Sequence, residues 1–215
     1  MTRSAGCNSK IFPMKKSKKK NIKNDVPVED GIPMYKPGKG QKLFHRSTAK
    51  YKLIGGAMGG GKSKALCMEA LNLSATIRGN RGAIIRKNLT TLRRTTMVTF
   101  FQSLSPGSVK EISKTEFRVT LNNGSEILFL DADESKDMLF DKLKSLELGW
   151  FAIDEASEVS KTAFQILVSR LRWKAAEGKY FGLLASNPEQ CWVKEEFIDA
   201  KKPRKYPILY QMVYM

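Results

Sequence analysis

The run Gly56-Ala57-Met58-Gly59-Gly60-Gly61-Lys62-Ser63 constrains this chain more than any other feature. It fits G-x-x-x-x-G-K-[ST] and stands where that pattern has a physical use. Tyr51 to Ile54 reads as a short strand ahead of it. Behind it, Ser63 to Arg78 carries Leu66, Ala70, Leu73 and Ile77 at helical spacing, up to a stop at Gly79. Glycines let backbone N–H groups turn inward to phosphate oxygens, and the following helix points its positive end at them. Lys62 is then placed to neutralise β- and γ-phosphate charge, and Ser63 to reach Mg²⁺. The reading is a site for ATP and Mg²⁺, with nucleotide contacts expected along Gly56, Ala57, Met58, Gly59, Gly60, Gly61, Lys62 and Ser63.

Strand-like runs alternate with helical periodicity along the rest of the chain, which implies an α/β domain around a largely parallel sheet. Gly82 to Ile85 is expected as a second strand. Asn88 caps a helix expected to run through Thr91, Arg94 and Phe101 to about Leu104, where Ser105-Pro106-Gly107 stops it. Glu116–Leu121 and Ser125–Leu130 flank Asn122-Asn123-Gly124 and predict a β-hairpin. Leu148–Ile153 predicts an apolar strand, and Thr162–Trp173 a helix burying Phe164, Leu167, Val168 and Leu171. Tyr180–Ala185 predicts the last buried strand, ending at Ser186-Asn187-Pro188.

Asp154 and Glu155 close the apolar run Trp150-Phe151-Ala152-Ile153. Ligands of open α/β sheets bind at the carboxyl ends of strands, so this pair falls where a nucleotide site needs it. Asp154 is read as the residue holding the Mg²⁺ shell with Ser63, and Glu155 as the base that polarises the attacking water, with Lys62 as its catalytic partner at the phosphates.

The 215 residues suffice for one good-sized catalytic domain. A formal charge of +17 makes nucleic acid the expected partner class. Residues 1–50 hold 13 Lys and Arg against 3 Asp and Glu, so most of the excess belongs to that stretch. Residues 1–34 are read as a flexible basic arm, either a linker or a DNA-binding extension, and residues 35–215 as the ATPase domain. Cys7, Cys67 and Cys191 lack metal-ligand spacing and fit a reducing compartment. The lysine-rich amino terminus has no apolar signal segment, and no run is long enough for a membrane span, so a soluble intracellular protein without a membrane partner is expected.

The sequence resembles the large terminase subunit of tailed bacteriophages, the ATPase motor that packages viral DNA. Pro37-Gly38-x-x-Gln41 followed by Tyr51 to Gly56 is similar to the family's adenine-side glutamine and entry strand. Lys142 to Ala156 resembles its run from a basic segment into the acidic pair, and Leu171-Arg172 its following helix. Leu184-Ala185-Ser186-Asn187-Pro188 resembles its coupling motif, with Trp192 and Phe197 just behind. The likeness spans roughly residues 35–200. It implies a three-layer P-loop NTPase fold of the RecA-like, additional-strand type, with the hairpin as an insertion. It also implies Gln41 at the nucleotide and Ser186 and Asn187 as the coupling pair. Double-stranded DNA, a ring of subunits on the viral portal and the small terminase subunit follow as partners, in the host cytoplasm.

The chain departs from that pattern twice. Many family members carry an arginine inside the phosphate loop, where Ala57 and Met58 stand here. A cation from a neighbouring subunit is therefore expected, with Arg170, Arg172 and Arg86 as candidate donors and Lys142 and Lys144 behind them. The family also continues into an RNase H-like nuclease domain, whereas this chain stops at Met215, so DNA cleavage by it is not expected. The residues leave two further readings open. The run Asp154-Glu155-Ala156-Ser157 also suits one half of a helicase-type ATPase, and a nucleotide- and DNA-holding assembly module is compatible with the missing loop arginine. Arg86-Lys87 and Arg93-Arg94 suit either a phosphate contact or a solvated face. His45 receives no role, and Trp173 and Trp192 are read as packing residues.

Overall fold

A computed structural model describes residues 35–56, 59–187 and 189–199 in full, and the strands Val28–Glu29, Ile32–Pro33 and Met212–Tyr214 by their backbone pairing. The chain divides into units 1–34 and 35–215. Within the first, β1 (Val28–Glu29) pairs antiparallel with β2 (Ile32–Pro33). The rest of the expected basic arm lies outside the described residues, as do Ala57, Met58 and Pro188.

The second unit is built on β3 (Tyr51–Gly55), β4 (Arg81–Arg86), β5 (Val109–Ser113), β6 (Arg118–Leu121), β7 (Glu126–Asp131), β8 (Trp150–Ile153), β9 (Phe181–Ser186) and β10 (Met212–Tyr214). Among the described residues they form one eight-stranded sheet, in the order β10-β3-β9-β8-β4-β7-β6-β5. Pairing is parallel from β10 through β7 and antiparallel from β7 to β5. The expected hairpin is thus part of the main sheet. Its strand β7 lies parallel to β4, and Gly124 takes the left-handed φ of 82° that the turn requires.

Central strands are buried on both faces, as parallel sheets demand. Ile54, Ile84, Ala152, Leu183 and Ala185 face a core closed by α2 (Lys62–Thr76) and α4 (Thr96–Phe101), through Ala65, Leu66 and Phe100. Leu53, Ala83, Ile85, Phe151, Ile153 and Leu184 face the other, closed by α5 (Asp141–Lys144), α6 (Lys161–Ser169) and α7 (Trp192–Phe197), through Leu143, Phe164, Leu167, Val193 and Phe197. The result is three layers. Gly82 owes its identity to packing: a Cβ there would run into the indole of the fully buried Trp150. Trp173 and Trp192 pack as expected, donating their indole N–H groups to Gly79 O at 2.8 Å and Val159 O at 2.6 Å.

Four local departures from the sequence reading stand out. An additional helix, α1 (Lys39–Arg46), follows Gly38; its start has neither a Ser, Thr, Asp or Asn cap nor an acidic first turn, and the buried Phe44 ties it down instead. The single helix expected after Asn88 is divided into α3 (Leu89–Arg94) and α4, because Thr95 leaves helical geometry at φ −123° and ψ −76°. A third antiparallel strand, β5, extends the hairpin, and a register shift between Val109 and Glu111 interrupts its pairing. Finally, α6 ends at Ser169, since Leu171 instead bridges to Leu148 beside the sheet.

His45 belongs to a buried polar chain that ties β3 to α2 and α1. Lys52 Nζ donates to Glu69 Oε1 at 2.7 Å, with both side chains 3% exposed, while His45 Nδ1 lies 2.7 Å from Glu69 Oε2. His45 Nε2 then meets Tyr35 Oη at 3.1 Å. Burial alone would raise the Glu69 carboxyl, but hydrogen bonds to His45 and Lys52 outweigh it and hold the group below its usual 4.5. Removing one partner of such a pair strands a buried charge. Lys52→Met is expected to cost about 3–5 kcal/mol at pH 7, measured by urea unfolding. Because the Glu69 pKa is depressed on folding, the pair's contribution is present above 4.5 and lost as pH falls through the folded value, so the gap between variant and parent should narrow in acid. A gap unchanged between pH 7 and pH 3 would assign the loss to packing alone.

Candidate nucleotide and metal site

Register brings four strand ends to one edge. Gly55 of β3 lies beside Ser186 of β9, Ile153 of β8 beside Leu184 of β9, and Ile85 of β4 beside Ile153. The loop from β3 into α2, the acidic pair after β8 and Asn187 after β9 therefore open at the same carboxyl edge. Gly59 and Gly61 take φ of 80° and 74°, left-handed values that favour glycine, and Gly61 caps α2 directly.

Lys62 opens α2 and is 7% exposed. Its Nζ donates to Gly56 O at 3.1 Å and to Asn187 Oδ1 at 2.9 Å. Asn187 also turns its Nδ2 to Glu155 Oε2 at 3.4 Å, so one amide spans the loop lysine and the second carboxylate. Ser186 Oγ donates to Asn187 O at 3.1 Å. The two residues singled out as a coupling pair thus sit among those singled out for catalysis.

The adjacent carboxylates are held apart by the backbone. Asp154 is 2% exposed; its Oδ1 accepts from Ser63 Oγ at 2.9 Å and its Oδ2 from Thr96 Oγ1 at 2.5 Å. Glu155 stands in the left-handed region at φ 51° and ψ 58°, which sends its side chain toward Asn187 instead. Burial pushes the Glu155 carboxyl above its usual value, and the neighbouring Asp154 charge pushes the same way. Lys62 and Arg86 draw it back down. A carboxylate raised toward neutrality is a better proton acceptor.

Ser63 and Asp154 present hard oxygen donors 2.9 Å apart. No group of three or more His, Cys, Asp or Glu among the described residues could hold a metal. That donor set fits Mg²⁺, which is commonly held by one or two protein oxygens while phosphates and water complete its shell.

Gln41 is 8% exposed and joins α1 to the end of the loop: Oε1 accepts from Gly38 N at 2.9 Å, and Nε2 donates to Gly61 O at 3.0 Å. Arg86, at the end of β4, donates to Thr95 Oγ1 at 2.8 Å and lies 3.6 Å from Glu158. Arg170 and Arg172 are at the other end of the sheet. They flank the backbone bridge to Leu148, six residues and about 20 Å of strand before Asp154, where Arg172 pairs with Glu147 at 3.2 Å. The structure brings Arg86 to this chain's site and leaves Arg170 and Arg172 away from it. Thr96 is the site residue the sequence reading missed, since a threonine inside an unbroken helix carries no signal.

Sheet order, a glycine loop leading from a buried strand into a helix, and an acidic pair two strands away define the class as a P-loop NTPase fold. The profile of the phage terminase large subunit family matches residues 48–214, and the chain belongs to that family. No curated protein sequence matches significantly. Among solved structures, the large terminase of a thermophilic bacteriophage aligns with a TM-score of 0.63 at 15% identity, covering 81% of this chain and 45% of that one. The same phage protein in complex with ADP gives 0.63 at 14% identity, over 81% and 45%. The large terminase ATPase domain of Thermus phage P74-26 gives 0.62 at 20% identity, over 84% and 81%. At these identities the likeness is one of fold. The chain spans less than half of the first of these proteins and about four-fifths of the Thermus phage domain. Among the described residues, no helix is long and apolar enough to cross a membrane.

The opposing pulls on Glu155 can be measured directly. Arg86→Gln removes a cation that lowers the Glu155 pKa, so the group should titrate at higher pH than in the parent, followed by carboxyl carbon NMR. A downward shift, or none, would show that Arg86 does not act on Glu155.

Proposed function

We propose that this chain is the ATP-hydrolysing motor portion of a viral DNA-packaging terminase, driving double-stranded DNA into a procapsid. The observation that carries the reading is the Asn187 amide bridging Lys62 and Glu155, the groups read as phosphate binder and base. Family membership supports a terminase setting. Lys62 exchanges its bonds to Gly56 O and Asn187 Oδ1 for phosphate oxygens, with the loop amides and Gln41 placing the nucleotide. When bound, Mg²⁺ at Ser63 and Asp154 supplies charge neutralisation for the β- and γ-phosphates. Glu155 accepts the proton of the attacking water. Asn187, released by Lys62, changes its hold on Glu155 and on the end of β9, and so reports the state of the γ-phosphate.

Transition-state charge needs a further cation, and an arginine in that role contributes about 10³–10⁵ in rate. Arg86 is the candidate within the same chain, whereas Arg170 and Arg172 can serve only a neighbour's site, as in a ring on the portal. The small terminase subunit is a further partner in this reading, and the host cytoplasm is the setting.

Lys62→Ala should weaken binding of a fluorescent ATP analogue at least tenfold. Glu155→Gln should leave that binding intact while lowering phosphate release by roughly 10²–10⁴. Hydrolysis unchanged in Glu155→Gln would remove Glu155 as the base. Double-stranded DNA should raise phosphate release by the parent chain, and Asn187→Ala should lose that stimulation before it loses nucleotide binding. A parent chain that binds nucleotide with no turnover at any DNA or protein concentration would point to an assembly module.

A further inference from the structure

We propose that Thr96 is a positioning residue, holding the Asp154 carboxylate in the orientation that presents its other oxygen to a divalent metal; this rests on the reading of Asp154 as the metal-side carboxylate. Asp154 has two hydroxyl partners, and they are not equivalent. Ser63, on Oδ1, is itself read as a metal ligand, so its hydroxyl oxygen takes on a second task when metal binds and its position follows the metal. Thr96, on Oδ2, approaches from another helix and is fully buried, with its backbone carbonyl facing Cys67 Sγ at 3.8 Å. Of the two, only Thr96 has no part in the metal shell, so its bond serves the carboxylate alone. Rotation of an aspartate carboxyl about its last torsion is soft and roughly two-fold, so a fixed donor on one oxygen decides where the other points. Outer partners of metal ligands commonly act this way.

The backbone is arranged around that bond. A helix that sequence periodicity would carry unbroken from Asn88 to Leu104 instead stops and restarts at Thr95, the residue before Thr96. Thr95 closes the end of α3 by donating Oγ1 to Thr91 O at 2.8 Å, and the same oxygen accepts from Arg86 Nη1 at 2.8 Å. The break therefore fixes two neighbouring threonines on two elements of the site, Arg86 and Asp154. Departures from local preference that coincide with site contacts mark functional positions.

The test uses the full chain with Mn²⁺ as the metal probe and ADP as nucleotide. Mn²⁺ affinity in the presence of ADP is read by electron paramagnetic resonance, ADP affinity without metal by calorimetry, and folding by thermal unfolding. Thr96→Val should lower Mn²⁺ affinity by about 10–100-fold while metal-free ADP affinity stays as in the parent. Thr96→Ser, which keeps the hydroxyl, should restore Mn²⁺ affinity. Asp154→Asn is the control for the underlying reading: undiminished Mn²⁺ affinity in it removes Asp154 as a ligand, whatever Thr96 does. Loss in Asp154→Asn with parental affinity in a folded Thr96→Val overturns the proposal alone. Should the valine variant not fold, Thr96→Ala takes its place. Unfolding of both, beside a native serine variant, would assign the hydroxyl to the fold and sink the proposal.

Discussion

Burial of the parallel strands on both faces is the constraint from which the rest of the molecule follows. The burial of β3 and β8 along their whole length, and of β9 beyond Phe181, leaves no room along the sheet for a ligand. Polar chemistry is confined to strand ends. There the parallel arrangement turns four chain segments toward a common edge, and the first N–H groups of α2 open beside them. Lys62, Ser63, Asp154, Glu155, Ser186 and Asn187 come from three distant parts of the sequence. Nothing but register brings them within hydrogen-bonding distance.

Two like charges on consecutive residues would repel if they shared a direction. Strand geometry alone sends successive side chains to opposite faces, and at this position the backbone goes further, since Glu155 takes a left-handed conformation uncommon for a non-glycine residue. The rotation separates the environments of the two carboxyl groups. Asp154 is buried and accepts from one hydroxyl on each oxygen, whereas Glu155 meets an amide at longer range and the fields of two cations. Environments that differ in this way allow neighbouring carboxylates to do different work.

What could be read in the sequence was what the chain encodes locally. The glycine loop, the strands at 51, 82, 148 and 180, the hairpin turn at Gly124 and the helix after Lys62 rest on periodicity or special backbone angles carried by adjacent residues. So does the placing of the acidic pair and of Ser186-Asn187 at strand ends. What escaped depends on distant partners. The helix α1 lacks a capping side chain at Gly38 and is held by Phe44 in the core and by Gln41, which accepts from Gly38 N and donates to Gly61 O. The break at Thr95 coincides with the contacts of the two threonines to Arg86 and Asp154, and Asp154, 58 positions from Thr96, lies beyond any local window. His45 received no role from the sequence because its partners, Glu69 and Tyr35, are 24 and 10 positions away. Arg170 and Arg172, expected as donors to a neighbour's site, flank the backbone bridge at Leu148, at the far end of the sheet from this chain's acidic pair.

The antiparallel end of the sheet carries a consequence for assembly. Among the described residues β5 is its outermost strand there, and an exposed strand edge ordinarily invites another chain to add on through backbone hydrogen bonds. Here the edge carries Lys110 and Glu111, both exposed, and its pairing is interrupted by the shift between Val109 and Glu111. Charges and an irregular backbone blunt such an edge. Any chain approaching that side meets charged side chains and an irregular backbone instead of a continuous row of free N–H and C=O groups, which disfavours extension of the sheet across the boundary.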